Sequence, residues 1–372
     1  MATFIIRLDQ AGSGPRIAVK DLIDVAGIPT TAGCKAVAKT AEPAAHDAAC
    51  LAGARAADAA IAGKANLHEL AFGASGVNPW FGTPVNPLDP DLVPGGSSSG
   101  SAVAVAEGEA EIGYGTDTGG SVRVPAAFCG LAGLKTTFGR ISTDGVWPLA
   151  PSLDTVGPIA VDVAGLVAGM MLLDPGFATT GRPASRIGRL RPLPDQTDPR
   201  IDAAVDDALR ASELQVVELG PVDWADALMQ TYVLLTSEAA AADARLMADP
   251  ASADGISAPV RSLLELGASV TAAQEGAARA YQREWQALFT QFFGQVDAIA
   301  LPTVPFFPPP LTEAEQHDFT QLTAPVNLAG LPALALPVPS KYWLPASLQL
   351  IGPANGEEML LATGAVLEES AG

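Results

Sequence analysis

Two serines and one lysine in the first third of the chain have the residue types and surroundings that acyl transfer requires. Ser97 lies in the turn-like run GGSSSG at 95–100, and Ser121 follows two glycines in GTDTGGSVRV. Lys20 lies upstream in the apolar stretch IAVKDLIDVAGIPTTAG. A serine hydroxyl is a weak nucleophile unless a base takes its proton. A nucleophile, a second hydroxyl and an amine together predict a hydrolytic site.

The segment around Ser121 has the features of an anion-binding turn. We expect the chain to change there from loop to helix, so that several backbone N–H groups lack helical partners. If Ser121 attacks a carbonyl, the N–H groups of Thr118, Gly119, Gly120 and Ser121 can meet the oxygen that becomes negative. Glycine lets the backbone approach that oxygen closely. These four residues are the predicted oxyanion hole.

The base is predicted to be a lysine. The chain has three histidines, His46, His68 and His317, and none has the sequence setting of a catalytic triad. Lys20 is flanked by aliphatic residues on both sides. Burial disfavours the charged form of lysine, so a buried amine can be neutral and accept a proton.

The chain resembles the amidase signature family. The resemblance rests on GGSSSG at 95–100, GTDTGGSVRVPAAFCGLAGLK at 115–135 and the lysine segment. Four further blocks occur in the same order as in that family, at 63–87, 151–160, 301–310 and 323–339. The resemblance covers about residues 16–175 and 296–368. It implies the amidase-signature fold of the α/β class, a central mixed twisted β-sheet covered by helices on both faces.

The resemblance also implies a Ser–cis-Ser–Lys catalytic unit. Ser121 corresponds to the nucleophile that is acylated, and Ser97 to a bridging serine preceded by a cis peptide bond. Lys20 then takes a proton from Ser97, which takes one from Ser121, and the relay runs backwards to protonate the leaving amine. Water repeats the sequence on the acyl-enzyme.

Three further residues are expected to support this unit. Ser98 is expected to hydrogen-bond within the network, while Asp117 and Arg123 brace the loop as an ion pair. No metal and no cofactor is expected, because the histidines lie far apart and no HExxH or paired CxxC is present.

Alternating strand-like and helical segments predict the elements that position these residues. Strands are expected at 16–20, 61–65, 111–116, 214–218, 296–302, 332–338 and 345–351, and helices at 44–60, 98–107, 121–128, 161–173, 199–212, 222–248, 270–293 and 356–369. In the 270–293 helix, Thr271 and Gln274 form a capping box, and an aromatic stripe follows helical spacing. The stripe is interpreted as core packing, with a substrate contact as the alternative.

The expected organisation is one amidase domain over 1–372. Residues 16–175 and 296–368 form its catalytic core, and 176–295 form a variable, mainly helical region on the substrate side. The family's glycine-bearing hairpin is replaced near the C-terminus by PVPSKYWLPASLQ. Tyr342 and Trp343 therefore lie either at the mouth of the site or in a surface gap that they plug.

Charge and cysteine content limit the expected partners and location. The formal net charge is −20 and the pI about 4.4, which argues against phosphate binding by clustered Lys and Arg. Three cysteines without CxxC spacing favour a reducing compartment, and no run of 18 apolar residues is present. We expect a cytoplasmic monomer or homodimer that acts on a small-molecule amide, without nucleic acid or membrane.

The first functional hypothesis is a stand-alone amidase. It cleaves a carboxamide C–N bond through acyl-Ser121, with a small aliphatic or aryl amide, or a carbamate, as substrate. The first alternative is the glutaminase-type subunit of a tRNA-dependent amidotransferase, which shares the signature. The second alternative is a non-catalytic binding protein on an amidase scaffold.

Overall fold

The computed structural model describes residues 2–8 and 10–371, with eleven strands in one sheet. The strands are β1 (Phe4–Arg7), β2 (Arg16–Lys20), β3 (Ala60–Ala65), β4 (Ile112–Asp117), β5 (Ala132–Lys135), β6 (Thr155–Ala160), β7 (Arg186–Arg189), β8 (Gln215–Glu218), β9 (Ala298–Pro302), β10 (Ala333–Val338) and β11 (Ala346–Ile351).

Thirteen α-helices and three short 3-10 turns connect these strands in the described residues. The helices are α1 (Lys35–Ala38), α2 (Ala52–Ala56), α3 (Ser99–Ala106), α4 (Arg123–Phe128), α5 (Val163–Leu173), α6 (Pro199–Ala211), α7 (Trp224–Ala242), α8 (Ala244–Ala248), α9 (Pro250–Ala253), α10 (Ala258–Ala268), α11 (Ala272–Phe293), α12 (Ala324–Ala329) and α13 (Glu357–Ala371). The 3-10 turns are Ala49–Leu51, Glu69–Ala71 and Leu311–Glu313.

The sheet is mixed, as the family resemblance implies. Its strand order is β1-β3-β2-β4-β6-β5-β10-β11-β9-β7-β8. Strands β3, β2 and β4 are mutually parallel neighbours, and so are β9, β7 and β8, whereas the other pairs are antiparallel. Because β2 and β4 run side by side in the same direction, the residues at their carboxyl ends lie together.

Helices cover both faces of the sheet, which confirms the predicted layering. The alternation along β9 shows it: Ala298 and Ala300 belong to the core beneath α5, α6 and α13, while Ile299 and Leu301 belong to the core beneath α7, α10, α11 and α12. Side chains of successive strand residues point to opposite faces. Helices α3 and α4 pack over a smaller core of their own around Val103.

The predicted helix at 44–60 is wrong over most of its length. Only the 3-10 turn and α2 are helical there. The backbone up to the start of this 3-10 turn forms hydrogen bonds with distant segments. Ala44 donates its N–H to Ile28 O, Ala48 to Asp24 O, and Ala49 to Asp144 O. These long-range hydrogen bonds keep residues 44–48 out of a helix in spite of the high helix propensity of alanine.

The proline- and glycine-rich segment before α6 contains a strand that the sequence did not indicate. Residues of β7 pair in parallel with both β8 and β9, so this segment extends the sheet. The assignment of 176–295 as a variable, substrate-side region stays a prediction.

Helix α11 begins with the predicted capping box. The Thr271 hydroxyl accepts a hydrogen bond from the Gln274 N–H, and the Gln274 side chain accepts one from the Thr271 N–H. The aromatic stripe packs in the core, with Trp285 and Phe289 buried and their rings in edge contact at 5.3 Å. This confirms the packing interpretation for these two residues.

Tyr342 and Trp343 lie beside α6. The Tyr342 ring is 4.7 Å from the Phe307 ring and 4.2 Å from the Arg200 guanidinium, whereas Trp343 is 57% exposed. Tyr342 is itself 38% exposed, and the choice between a plug and the mouth of the site stays a prediction. No helix in 2–8 and 10–371 combines the length and apolarity needed to span a bilayer.

Candidate functional site

Lys20 ends β2 with its amine enclosed in protein. The side chain is fully buried, and its Nζ lies 2.7 Å from Ser97 Oγ and 2.8 Å from Thr116 Oγ1. Burial lowers its pKa to about 7, against the opposing attraction of the Asp117 and Asp154 carboxylates. A large fraction of this amine is therefore neutral at neutral pH, which is the form that accepts a proton.

Ser97 lies in the turn before α3. The peptide bond between Gly96 and Ser97 is cis, as the resemblance implies. The Ser97 carbonyl accepts a hydrogen bond from the His68 N–H at 3.0 Å. The side chain is buried and its hydroxyl accepts the hydrogen bond from Lys20, so the first link of the predicted relay is formed.

Ser121 lies in the turn between β4 and α4. Its carbonyl accepts the N–H of Ser98 at 3.2 Å, which joins this turn to the one that carries Ser97. Ser121 is 5% exposed, and its hydroxyl has no hydrogen-bond partner among the described residues. The Ser97–Ser121 link is therefore open in this structure. Such contacts commonly tighten when substrate binds, and the relay stays a prediction.

The oxyanion prediction needs one correction. The Gly120 N–H donates to Asp117 Oδ1 at 2.8 Å and is not available to a substrate oxygen. The N–H groups of Thr118, Gly119 and Ser121 have no protein acceptor in the part of the chain that the structure describes. Three donors at one turn are sufficient for an oxyanion hole, since such sites commonly use two.

Gly120 is instead required for the shape of the turn. Its φ is +138°, and an added Cβ would lie 2.2 Å from Thr323 Oγ1. The Thr323 hydroxyl donates to Gly119 O at 2.6 Å, so the side chain that excludes a Cβ also holds the turn. Only glycine fits this position.

A buried ion pair braces the turn, as predicted. Arg123 Nε and Nη2 donate to the two carboxylate oxygens of Asp117, at 3.0 and 2.8 Å. The remaining guanidinium N–H groups donate to Thr323 O, Gln349 Oε1 and Asn327 Oδ1. Burial raises the pKa of Asp117, but Arg123, Lys135 and Asn327 outweigh this effect and hold the pKa well below its usual range.

The structure also shows how Ser98 supports the site. Its hydroxyl donates to Thr116 O at 3.3 Å, and Thr116 also binds Lys20 through its side chain. An added Cβ at Gly115 would lie 2.5 Å from Ser98 Oγ, so glycine is needed for this contact.

Arg123→Leu is expected to destabilise the fold by about 3–5 kcal/mol, because it leaves the Asp117 carboxylate buried without its partner. The lowered pKa of Asp117 means that the stabilisation is complete above its ordinary value of 3.8 and is lost only as the pH falls towards the folded-state pKa. Urea unfolding at pH 7 measures the change. Arg210→Leu, which breaks an exposed ion pair with Asp207, is the matched control and should change little. Equal midpoints for the two variants would contradict the expectation.

Three residues near the site were missing from the sequence prediction. Thr116 accepts the second hydrogen bond of Lys20, Asp154 accepts the Thr118 hydroxyl at 2.6 Å, and His68 binds the Ser97 carbonyl through its backbone. Thr116 directly precedes Asp117, and Asp154 lies in the block PSLDTVGPIA, so their positions in family-like blocks were the available signal. Within the described residues, no three His, Cys, Asp or Glu side chains group as metal ligands do.

The comparisons with known proteins agree with this geometry. A family model described as Amidase matches residues 13–175 and 176–361. This chain belongs to the amidase family. A crystal structure of an amidase, 33% identical, superposes with a TM-score of 0.87 over 96% of this chain and 85% of the other. As a family member, the chain is an enzyme that acts on amide C–N bonds, which removes the alternative of a non-catalytic binding protein.

Eight curated relatives, all 34–36% identical to this chain, share the name of the A subunit of glutamyl-tRNA(Gln) amidotransferase. The chain is 35% identical over 410 residues to this protein of Halobacterium salinarum, covering 96% of this chain and 95% of the relative. It is 35% identical over 404 residues to the corresponding protein of Thermus thermophilus, covering 96% and 85%.

These relatives overturn two expectations. The stand-alone amidase acting on a small aliphatic or aryl amide is wrong as the main hypothesis, and the relatives support the amidotransferase alternative. The expectation of a monomer or homodimer with a small-molecule substrate and no nucleic acid is wrong for the same reason. The exclusion of nucleic acid depended on the net charge of this chain, which does not give the charge of a partner subunit.

Proposed function

We propose that this chain is the glutaminase subunit of a tRNA-dependent amidotransferase. It hydrolyses the side-chain amide of glutamine and supplies ammonia for the amidation of a tRNA-bound glutamyl group on another subunit. The observation that carries the proposal is the extent of similarity, which spans almost the whole length of relatives named as part of such an enzyme. The hydrogen bond between Lys20 and Ser97 supports the chemistry.

Acylation begins with the neutral amine of Lys20. It takes the proton of Ser97, whose oxygen takes the proton of Ser121, and Ser121 Oγ attacks the amide carbon of glutamine. The carbonyl oxygen becomes negative in the tetrahedral intermediate. The N–H groups of Thr118, Gly119 and Ser121 donate to it, in a buried turn that needs no rearrangement at that moment.

The relay then runs in reverse. The proton held on Lys20 returns through Ser97 to the amide nitrogen, the C–N bond breaks, and ammonia leaves the γ-glutamyl ester on Ser121. Water attacks the ester carbonyl under the same base. The products are glutamate, ammonia and the free enzyme.

A cavity of about 960 Å³ near the turn that carries Ser97 is a candidate for part of the substrate site, although neither Ser97 nor Ser121 lines it. His68 lines it and binds Ser97 O through its N–H, so the cavity begins beside the catalytic unit. Its wall combines apolar side chains such as Phe72, Leu263 and Phe319 with a few polar ones, which is typical of small-molecule pockets.

The proposal includes a cytoplasmic location, where aminoacylated tRNA is used. Cys34, Cys50 and Cys129 are all buried and unpaired, and burial raises the pKa of each thiol. Reduced, unreactive thiols suit a reducing compartment.

The proposal is tested with the chain recovered by affinity purification together with the proteins it binds. Incubation with glutamine, glutamyl-tRNA(Gln) and Mg-ATP, which is included to activate the glutamyl carboxylate by phosphorylation, is expected to give glutamate and glutaminyl-tRNA(Gln), and both products should disappear in Ser121→Ala. The isolated chain is assayed in parallel for ammonia release from glutamine. An isolated chain that turns over simple aliphatic and aryl amides rapidly, but never glutamine with or without its bound proteins, would overturn the proposal.

A further inference from the structure

Asp154 is a buried carboxylate next to residues 118–121, which we call the oxyanion turn. The Lys20–Ser97–Ser121 relay does not use Asp154. It is 8% exposed and accepts hydrogen bonds from the Thr118 hydroxyl at 2.6 Å, the Leu149 N–H at 3.0 Å and the Ala150 N–H at 3.1 Å. Burial raises the pKa of this carboxyl, and the three donors oppose that rise because they stabilise its ionised form. The Thr118 side chain is thereby fixed, and its N–H is one of the three free donors of the turn.

The loop that carries Asp154 is itself anchored to α7. Glu238 accepts both the N–H of Ser152, at 2.8 Å, and its hydroxyl, at 2.5 Å. Arg279 of α11 forms an ion pair with Glu238 and donates to Ser152 Oγ at 2.8 Å. Two helices thus hold the loop through one charged pair whose members are each less than one-third exposed.

Helix α7 also passes close to the turn at Gly119. A Cβ placed on Gly119 would lie 3.5 Å from Leu235 Cδ1, and Leu235 lies one turn before Glu238 on α7. Helix α7 is therefore linked to the turn by hydrogen bonds through the loop that carries Ser152 and Asp154, and Leu235 lies beside Gly119.

We propose that Asp154 is a positioning residue that fixes Thr118 in the oxyanion turn, and that the Glu238–Arg279 pair couples α7 and α11 to that role. Without Asp154, the Thr118 hydroxyl and two backbone N–H groups are left buried without an acceptor, and the turn can relax away from the attacking geometry. This inference rests on acylation of Ser121, the chemistry of the proposed function.

Asp154 also contributes to the field at Lys20. The charged groups that act on this amine are the Asp117 and Asp154 carboxylates, which favour its protonated form. The pKa of the nearby His68 ring is lowered by burial and, to a lesser extent, by Lys20. Removing the charge of Asp154 while keeping its shape makes the amine easier to deprotonate. The acid limb of Ser121 reactivity then moves to lower pH.

The test is the rate at which a fluorophosphonate labels Ser121 between pH 5 and 9, followed by mass spectrometry. Asp154→Ala and Thr118→Val, which remove the same hydrogen bond from its two ends, are each expected to slow labelling at pH 8 by about 10- to 100-fold, since losing a whole oxyanion donor typically costs about 100-fold or more. Their double variant should be no slower than the worse single one. Asp154→Asn should keep most of the plateau rate and show the acid limb at lower pH.

Glu238→Ala is expected to slow labelling by about 3- to 10-fold, because Glu238 acts on Thr118 only through the loop that carries Asp154. Asp207→Asn, on the exposed side of α6, is the control. Labelling of folded Thr118→Val at the wild-type rate would overturn the inference, and so would a plateau rate in Asp154→Asn as low as that of Asp154→Ala. The probe needs only the nucleophile and the turn. These rates therefore stay interpretable if glutamine proves not to be the substrate, and unchanged rates would leave the glutaminase proposal standing.

Discussion

Ser121→Ala is expected to lower glutamine hydrolysis by about 10⁴-fold or more, because no acyl-enzyme can form without the hydroxyl. Loss of a nucleophile from a unit that acts together costs nearly as much as loss of the whole unit. The measurement is glutamate release by the purified assembly, and fluorophosphonate labelling should disappear in the same variant.

Ser99→Ala is the matched control for this variant. Ser99 lies two residues from Ser97 and is buried, but its hydroxyl has no hydrogen-bond partner among the described residues. Activity should stay near the wild-type rate. Substantial glutaminase activity in Ser121→Ala, or an acyl adduct mapped to another residue, would contradict the assignment of the nucleophile.

Replacement of Lys20 should lower activity by about 10²- to 10⁴-fold, the range that general-base catalysis contributes. Lys20→Met keeps the length of the side chain and removes the base. Lys20→Arg keeps a cation but is equally impaired, because a guanidinium stays protonated at every working pH. Fluorophosphonate labelling of Ser121 measures the loss of the base in these two variants. Circular dichroism checks that both variants are folded.

The pH dependence of the wild-type rate is an independent test of Lys20 as the base. The pKa of Lys20 is about 7 and only the neutral amine accepts a proton. The rate should therefore fall about tenfold for each pH unit below 7 and level off above it. A profile that is flat from pH 5 to 8 would show that the base is another group.

The sequence was sufficient for the residues whose chemistry is local. An apolar flank predicts that Lys20 is buried, and paired glycines before Ser121 predict a tight turn at a helix start. Helix α11 is equally local, since its capping box and aromatic spacing are complete within 23 residues. Strand β2 was predicted within its observed bounds because five consecutive residues carry the pattern.

The features that the sequence could not indicate depend on partners far along the chain. Gly120 was predicted as an oxyanion donor, but its N–H donates to Asp117 Oδ1. The orientation of the Asp117 side chain decides this, and it is set by the folded structure. The alanine-rich 44–60 segment was predicted as helix because its hydrogen bonds to Ile28, Asp24 and Asp144 are invisible to propensity.

Arg123 makes contacts that span most of the chain. Its guanidinium holds Asp117 six residues away, and also Thr323 and Gln349, which lie 200 and 226 residues further on. The groups that hold the Arg123 guanidinium beside the Ser121 turn are therefore complete only after residues 323–349 have been synthesised. A chain cut before residue 323 is expected to keep both serines and the lysine and yet to lack a completed turn.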